Sequence, residues 1–167
     1  AAEARRIDEA RAKALRVAFE RAGLAGAALE VAVLLAVAYP AEAPGLLANP
    51  DVPASLIGAD LAEPKRASRY LAELDARVGD LADAPGVLSA LRKVARRERL
   101  RVALRELLPE SQGGADVDVT SAELAALADA TIEIAYREAH RHQLSRLHDE
   151  TARQTFMRSG FVVLGMG

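Results

Sequence analysis

The sequence has no cysteine and no tryptophan, and aromatic residues make up only 4% of its 167 residues. The absence of cysteine excludes disulfides and thiolate metal sites, which suits a reducing compartment. With so few aromatic rings, the apolar 51% must build a core from alanine, leucine, valine and isoleucine. Alanine and leucine are strong helix formers, as are the arginine and glutamate of the polar positions. The composition therefore favours packed helices over a sheet.

The sequence also lacks a long apolar run and a strong net charge. Its most apolar stretch, residues 31–39, is far shorter than the roughly 20 residues of a membrane-spanning helix, so we interpret it as a buried core helix. Residues 1–12 are charged and lack the apolar region of a signal peptide. A formal net charge of −2 argues against nucleic-acid binding by the whole chain. We expect no membrane insertion and, by default, a cytoplasmic location.

Apolar residues recur at helical spacing along most of the chain. Before residue 110 the pattern predicts four helices, over residues 2–22, 24–38, 64–78 and 83–108. Asp83 is placed to cap the last of these, with Pro85 in its first turn. Five prolines at residues 40–64 predict short helices joined by turns, and the polar residues 110–118 predict a flexible linker.

A capping box is predicted at Thr120 and Glu123, whose hydroxyl and carboxylate would satisfy backbone N–H groups at a helix start. The helix that follows is expected to reach about Met157. Its apolar face is clear as far as Ala139 and then fades into histidine, arginine, glutamine and aspartate. We therefore expect its second half to be exposed, or to be covered by a partner.

A strand is predicted at the end of the sequence, where residues 161–164 are apolar and include two valines. A lone strand needs a neighbour for its backbone groups, so we expect the chain to break off inside a larger protein. The strand runs into Gly165, Met166 and Gly167. Glycine lets backbone N–H groups approach phosphates closely, although a plain turn is the alternative.

Two further groups of side chains are candidates for binding. The basic run at residues 92–101 can meet phosphates or an acidic partner, but it is better explained as a solvated helix face with arginines paired to Glu98 and Glu106. It has no interleaved aromatic residue. The three histidines, at 140, 142 and 148, are not spaced to bind one metal ion from a helix, so no zinc site is expected.

Three segments together resemble the bacterial glutamine synthetase adenylyltransferase/deadenylylating enzymes. That family has a helix reading approximately Leu-Arg-Arg-x-Arg-Arg-x-Glu-x-Leu-Arg-Ile, and residues 91–102 read LRKVARRERLRV. Its Thr-x-Glu-Leu-Ser-x-Leu-Ala-Asp pattern is similar to TSAELAALAD at residues 120–129. Its apolar strand and Gly-Met-Gly-Lys-Leu-Gly-Gly loop resemble FVVLGMG at residues 161–167, without the remainder of the loop. Ala95 departs from the family, which often has a larger residue there.

The resemblance implies a parent enzyme with two nucleotidyltransferase domains, one transferring AMP from ATP to a tyrosine of glutamine synthetase and one removing it by phosphorolysis. It implies Mg²⁺, ATP and phosphate, and regulation by glutamine and a PII signalling protein. The expected fold is an all-α multi-helix bundle at residues 1–158, followed at 159–167 by the strand-like start of a missing α/β nucleotidyltransferase domain. Similarity of residues 47–51 (LANPD) to the family places the chain before the N-terminal, AMP-removing half.

Gly165, Met166 and Gly167 are the phosphate-binding residues that the resemblance implies; no catalytic or metal-binding residue carries over, because the family's Asp-x-Asp pair lies downstream. The chain alone is therefore expected to be an inactive helical scaffold. Two other interpretations stay open. One is a free-standing helical interaction module, and the other is a nucleic-acid-binding domain that uses residues 92–101, against which the net charge argues.

Overall fold

The computed structural model describes residues 2–58, 61–79, 81 and 84–160, and within these residues it contains helices and turns but no strand. The α-helices are α1 Ala2–Arg21, α2 Gly26–Ala38, α3 Ala43–Ala48, α4 Asp51–Ser55, α5 Ala67–Val78, α6 Ala84–Leu107, α7 Val117–Arg146 and α8 Glu150–Arg158. The all-α prediction is confirmed. The predicted strand at 161–164 and the predicted cap Asp83 lie outside the described residues.

Helix α6 belongs to two hydrophobic cores. Towards its C-terminal end, Leu100 and Leu104 pack with buried side chains of α1, α2 and α3. Towards its N-terminal end, Val87 and Leu91 pack with buried side chains of α5 and α7. Each fully buried leucine contributes about 2 kcal/mol through apolar burial. Helix α6 therefore ties the two halves of the chain together.

The apolar stretch at residues 31–39 lies in α2, and four of its side chains are buried: Ala32, Val33, Leu35 and Ala36. This confirms the predicted core helix. The proline-rich region likewise folds as predicted into short pieces, a 3₁₀ turn at Pro40–Glu42 followed by α3 and α4.

The predicted flexible linker at residues 110–118 is instead an ordered turn. A 3₁₀ turn at Glu110–Gln112 ends at Gly113, whose φ of 87° lies in the left-handed region that glycine adopts without strain. The Gly114 N–H donates to the Pro109 carbonyl at 3.0 Å, and the Ala115 N–H donates to the Arg105 carbonyl at 3.0 Å. These bonds fold the turn back onto the end of α6, so the prediction of a flexible segment was wrong.

The predicted capping box was also wrong. Helix α7 begins at Val117, and Asp116 caps it by accepting a hydrogen bond from the Val119 N–H at 2.9 Å. The Thr120 hydroxyl, one turn later, donates to the carbonyls of Asp116 and Val117. The Glu123 carboxylate takes no part in capping because cations of other elements engage it.

The long helix predicted to residue 157 is two helices. Helix α7 ends at Arg146, and α8 begins at Glu150 with Asp149 as its cap, accepting from the Ala152 N–H at 2.7 Å. Aspartate side chains compete for backbone N–H groups in this way and so interrupt a helical pattern. The break turns α8 back so that Phe156 stacks on His140 of α7, with ring centroids 4.9 Å apart.

Candidate functional site

Glu123, on α7, is the centre of a buried polar network and is only 2% exposed. Its Oε1 accepts hydrogen bonds from the backbone N–H of Lys65 at 2.8 Å and from the Tyr70 hydroxyl at 3.2 Å. Arg101 donates to the same oxygen, and Arg105 donates to Oε2. One carboxylate thereby links α5, α6 and α7.

Glu98, which is fully buried, forms the second half of this network. Its Oε2 accepts from Nε of Arg101 at 2.8 Å and lies 3.1 Å from Nζ of Lys65. Its Oε1 accepts from Arg97 at 2.5 Å. Lys65 also donates to Glu73 on α5 at 2.7 Å. The residues before α5 and the middle of α6 are therefore held together by opposite charges.

Among the described residues, the network joins the cations Lys65, Arg101 and Arg105 to the carboxylates Glu73, Glu98 and Glu123, and the more exposed Arg69 and Arg97 pair with Glu73 and Glu98 at its edge. Moving a charge from water into a protein interior costs several kcal/mol per ion, which pairing offsets only when every hydrogen bond is made. Among the described residues, no buried side-chain nitrogen or oxygen lacks a hydrogen-bond partner. Removing any one partner is therefore expected to destabilise the fold.

Burial and pairing shift the pKa values of several network groups. Burial raises the pKa of the Tyr70 hydroxyl, which Arg101 only partly opposes, so Tyr70 stays protonated and donates. Burial disfavours the charged form of Arg101, but hydrogen bonds to Glu98, Glu123 and Tyr70 outweigh it and raise its pKa. Burial likewise opposes ionisation of Glu73, yet Lys65 and Arg69 lower its pKa. The network is thus built around paired charges, which suits holding helices in register.

Sequence reasoning placed Glu98 in a solvated basic run and Glu123 in a capping box, and so missed this network. One local signal was available. Glu98, Arg101 and Arg105 are spaced by three and four residues, next to the core residues Leu100 and Leu104, which puts the charges on the inward side of α6. No comparable signal in the sequence marks Glu123, the residue of α7 that pairs with Arg101 and Arg105.

The rest of the basic run is divided between internal contacts and solvent. Arg96 pairs with Glu42 at 3.0 Å, and Arg97 donates to the Ser55 carbonyl at 2.9 Å. The prediction that arginines pair with Glu98 is confirmed, while Glu106 accepts a hydrogen bond from Tyr39. Only Arg92, Lys93 and Arg99 of the run's basic residues are exposed. The basic surface is therefore much smaller than the sequence suggests.

A groove of about 530 Å³ lies between α7 and α8, and we call it the α7–α8 groove. Its walls are mainly apolar and include Ile132, Ala135, Ala139 and Phe156. Ser159 and Gly160, just beyond α8, also line it. Ile132 in this wall is 42% exposed. The groove therefore presents an apolar surface beside the end of the described chain.

A second groove, of about 640 Å³, runs between α6 and α7 and meets the first at Ile132 and Ala135. Leu88 and Leu124, 43% and 40% exposed, contribute its apolar surface, and Arg92 and Arg99 lie along it. One face of α7 thus carries a continuous apolar surface, which Arg92 and Arg99 of α6 border in the second groove. Large exposed apolar surfaces of this kind mark interaction sites.

The predicted phosphate-binding residues Gly165, Met166 and Gly167 lie outside the described residues. Within the described part of the chain, no group of three or more histidine, aspartate or glutamate side chains is arranged to hold a metal ion. His140 lies in the α7–α8 groove, where it stacks on Phe156. Among the described helices, none combines the length and apolarity that crossing a bilayer requires.

Comparisons with known proteins agree with the sequence motifs. The family model for glutamate-ammonia ligase adenylyltransferase matches residues 31–167. Over 108 residues, the chain is 32% identical to the bifunctional glutamine synthetase adenylyltransferase/adenylyl-removing enzyme of Pseudomonas aeruginosa. The match covers 65% of this chain and 11% of that relative, so the chain spans only a small part of the relative's length. No solved structure matches the chain significantly. The chain belongs to the glutamate-ammonia ligase adenylyltransferase family.

Proposed function

We propose that this chain is a helical scaffold within an enzyme that attaches AMP to a tyrosine of glutamine synthetase and removes it by phosphorolysis. The family match and the identity to the Pseudomonas enzyme support this role. The observation that carries it is the use of the motif charges. Arg101 pairs with both Glu98 and Glu123 inside the fold, and all three residues lie within the family-like segments.

Because the motif charges of this region pair inside its own fold, the region contributes rigidity to the enzyme. In this proposal residues 1–158 form the scaffold, and residues 159–167 begin the nucleotidyltransferase domain that performs the chemistry. Gly165, Met166 and Gly167 would contribute backbone N–H groups to phosphates of ATP or to inorganic phosphate. Mg²⁺ would neutralise charge during transfer, and we assign it to no described residue because none is grouped with suitable ligands.

The scaffold role is tested with the chain alone. The purified chain is mixed with glutamine synthetase, Mg²⁺ and labelled ATP, and separately with adenylylated glutamine synthetase, Mg²⁺ and phosphate. We expect no AMP to be attached or removed, because no nucleophile, base or metal site is assigned within the helices. Any Mg²⁺-dependent turnover above a no-protein control would contradict the scaffold role.

The place of the chain in the enzyme is tested with a chimera, in which its matching residues replace those of the Pseudomonas enzyme. We expect the chimera to retain both AMP attachment and AMP removal. A chimera that also carries Glu123→Gln should lose soluble enzyme, whereas one carrying Asp129→Asn, at an exposed position of the same helix, should not. A soluble, folded chimera that is inactive in both reactions would refute the proposal.

A free-standing interaction module is the second candidate, and the exposed apolar face of α7 favours it. Analytical ultracentrifugation of the chain with glutamine synthetase, and with a PII protein, separates the two candidates. A stable complex with either protein, formed by the chain alone, supports the module. Sedimentation as a free chain supports the scaffold, whose partners act through the rest of the enzyme.

A further inference from the structure

We propose that the groove between α6 and α7, which we call the α6–α7 groove, binds an amphipathic, acidic helix from another part of the same enzyme. This proposal rests on the proposed function, in which the chain is one region of a longer polypeptide. The matched region is 11% of the Pseudomonas relative, so an enzyme of that length has many further segments that can supply the helix. A helix on the same polypeptide also reaches the groove at a high effective concentration.

The apolar wall of the groove sets the length of the partner. Leu88 of α6 and Leu124 and Ile132 of α7 line the groove and remain exposed. Along α7 the wall runs from Leu124 to Ala135, which spans about 17 Å at the helical rise of 1.5 Å per residue. A partner helix of about three turns therefore covers this wall.

The chemistry of the wall favours a helix over an extended segment. Of the described residues in the wall, only Arg92, Arg99 and Thr131 have polar side chains, and the Thr131 hydroxyl already donates to the Leu127 carbonyl at 2.8 Å. An extended segment would place backbone N–H and C=O groups against apolar side chains without hydrogen-bond partners, which is costly. A helix pairs these groups internally and presents its apolar face to the groove.

The arginines of the groove determine the charge of the partner. Arg92 and Arg99 are exposed, and neither side chain forms an ion pair or a hydrogen bond with a residue that the structure describes. By contrast, Arg96 and Arg97 of the same helix pair with carboxylates. The described wall contains no carboxylate, so the groove is basic in a chain whose net charge is −2. An acidic helix supplies the counter-ions that the two arginines lack.

The spacing of the two arginines specifies the pattern of the partner. Arg92 and Arg99 are two turns apart on one side of α6, a distance of about 10 Å along the helix. A helix along the groove meets both when it carries two acidic residues seven positions apart beside its apolar stripe, since flanking charges of this kind set partner choice between helices. None of the described helices carries two exposed acidic residues at that spacing, so a second copy of this chain does not fit.

Photo-cross-linking in the full-length enzyme that contains this chain tests the proposal. One variant carries p-benzoylphenylalanine in place of Leu124, and a second carries it in place of Leu88, so that the test does not depend on the folding of one variant. Ala122 is the control position, because it is exposed two residues away on the opposite side of α7. Mass spectrometry of the digested enzyme identifies the cross-linked segment.

We expect a cross-link within one polypeptide from Leu124 or Leu88, formed at least about tenfold more than from Ala122. The captured segment should have a helical apolar pattern and two acidic residues seven positions apart. A cross-link to a second copy, to a separate protein or to a segment without the acidic pair would overturn the proposal. Equal yields at all positions, or no cross-link in variants that keep the circular dichroism of the unmodified enzyme, would also overturn it.

Charge reversal tests the role of the arginines. Arg92→Glu and Arg99→Glu, added together to the cross-linking variant, should lower the yield at least about fivefold, because like charges across an interface repel. Lys93→Glu reverses an exposed charge outside the groove wall and should leave the yield unchanged. An unchanged yield in the double variant, or an equal fall with Lys93→Glu, would contradict the acidic partner.

The cross-linking experiment measures a contact and involves no AMP transfer. Its failure therefore leaves the activity of the chimera intact as evidence for the proposed function. Conversely, an inactive chimera together with the expected cross-link would refute the function and leave the docked helix in place.

Discussion

Arg101 on α6 and Glu123 on α7 form an ion pair whose two side chains are almost completely buried. The Tyr70 hydroxyl of α5 contacts both partners, accepting from Arg101 at 2.9 Å and donating to Glu123 at 3.2 Å. Three helices therefore meet at one pair of opposite charges. In a low-dielectric interior each partner depends on the other, so loss of either one is expected to destabilise the fold strongly.

Replacing Glu123 by glutamine should destabilise the chain by about 3–5 kcal/mol, because the buried Arg105 would lose its carboxylate partner and Arg101 would lose one of the carboxylates with which it pairs. The measurement is the midpoint of urea unfolding followed by circular dichroism. Asp129→Asn is the control, since Asp129 is exposed on the same helix and its loss should change the stability by less than about 0.5 kcal/mol. Equal effects of the two substitutions would show that the buried network is not what holds α7.

Stability should fall as the pH drops below about 4.5, and Glu73 should contribute to that fall. Its pKa is lowered in the folded chain, where Lys65 and Arg69 outweigh the opposing effect of burial. A group whose folded pKa lies below its unfolded value of 4.5 stabilises the fold above that value and loses its contribution as pH falls through the folded pKa.

Thermal unfolding between pH 3 and pH 7 measures this contribution. Glu73→Gln should weaken the dependence of the melting temperature on pH in the acidic range. Glu63→Gln removes an exposed carboxylate close in the sequence and serves as the control. If both variants change the pH dependence of the melting temperature equally, the pairing of Glu73 with Lys65 does not cause the loss of stability in acid.

Gly114→Ala should destabilise the chain by about 1–3 kcal/mol through a steric clash. A Cβ atom at this position would lie 1.9 Å from the Leu108 carbonyl oxygen, and this backbone group cannot rotate away as a side chain would. Gly160→Ala is the control, because nothing lies within 4 Å of its added Cβ. Differential scanning calorimetry compares the two, and similar melting temperatures would contradict the tight turn after α6.

Asp116→Ala should destabilise α7 by about 1 kcal/mol through loss of its cap, whereas Asp116→Ser should restore most of the stability. Urea unfolding monitored by helical circular dichroism detects both effects. An unchanged unfolding midpoint in Asp116→Ala would indicate that Thr120 caps the helix, as the sequence pattern predicted.

The sequence was sufficient to predict the class of the fold and the positions of most helices. The signals that serve this purpose are local: strong helix formers, apolar residues repeating every three or four positions, and prolines that interrupt them. The core helix at residues 31–39 was recognisable in this way. Boundaries were less predictable, because Asp116 and Thr120 are both acceptable caps, and the hydrogen bond from the Val119 N–H to Asp116 shows that Asp116 is the one used.

The candidate site was likewise only partly predictable. Residues 91–102 and 120–129 were recognisable as family-like motifs from the sequence, but local spacing assigned their charges to a solvated helix face and to a helix cap. Their actual role requires Glu123 to meet Lys65 and Arg101, which are 58 and 22 residues away. Local spacing carries no information on contacts over such separations.

The helical character of this protein and the family that its motifs resemble are thus written in local sequence patterns. Which charges are buried, and which apolar face of α7 the described residues leave exposed, follow from the packing of the helices. A helical propensity belongs to each residue and its neighbours along the chain. The pairing of a buried charge depends on which helices lie side by side, and the packing of α5, α6 and α7 sets that arrangement.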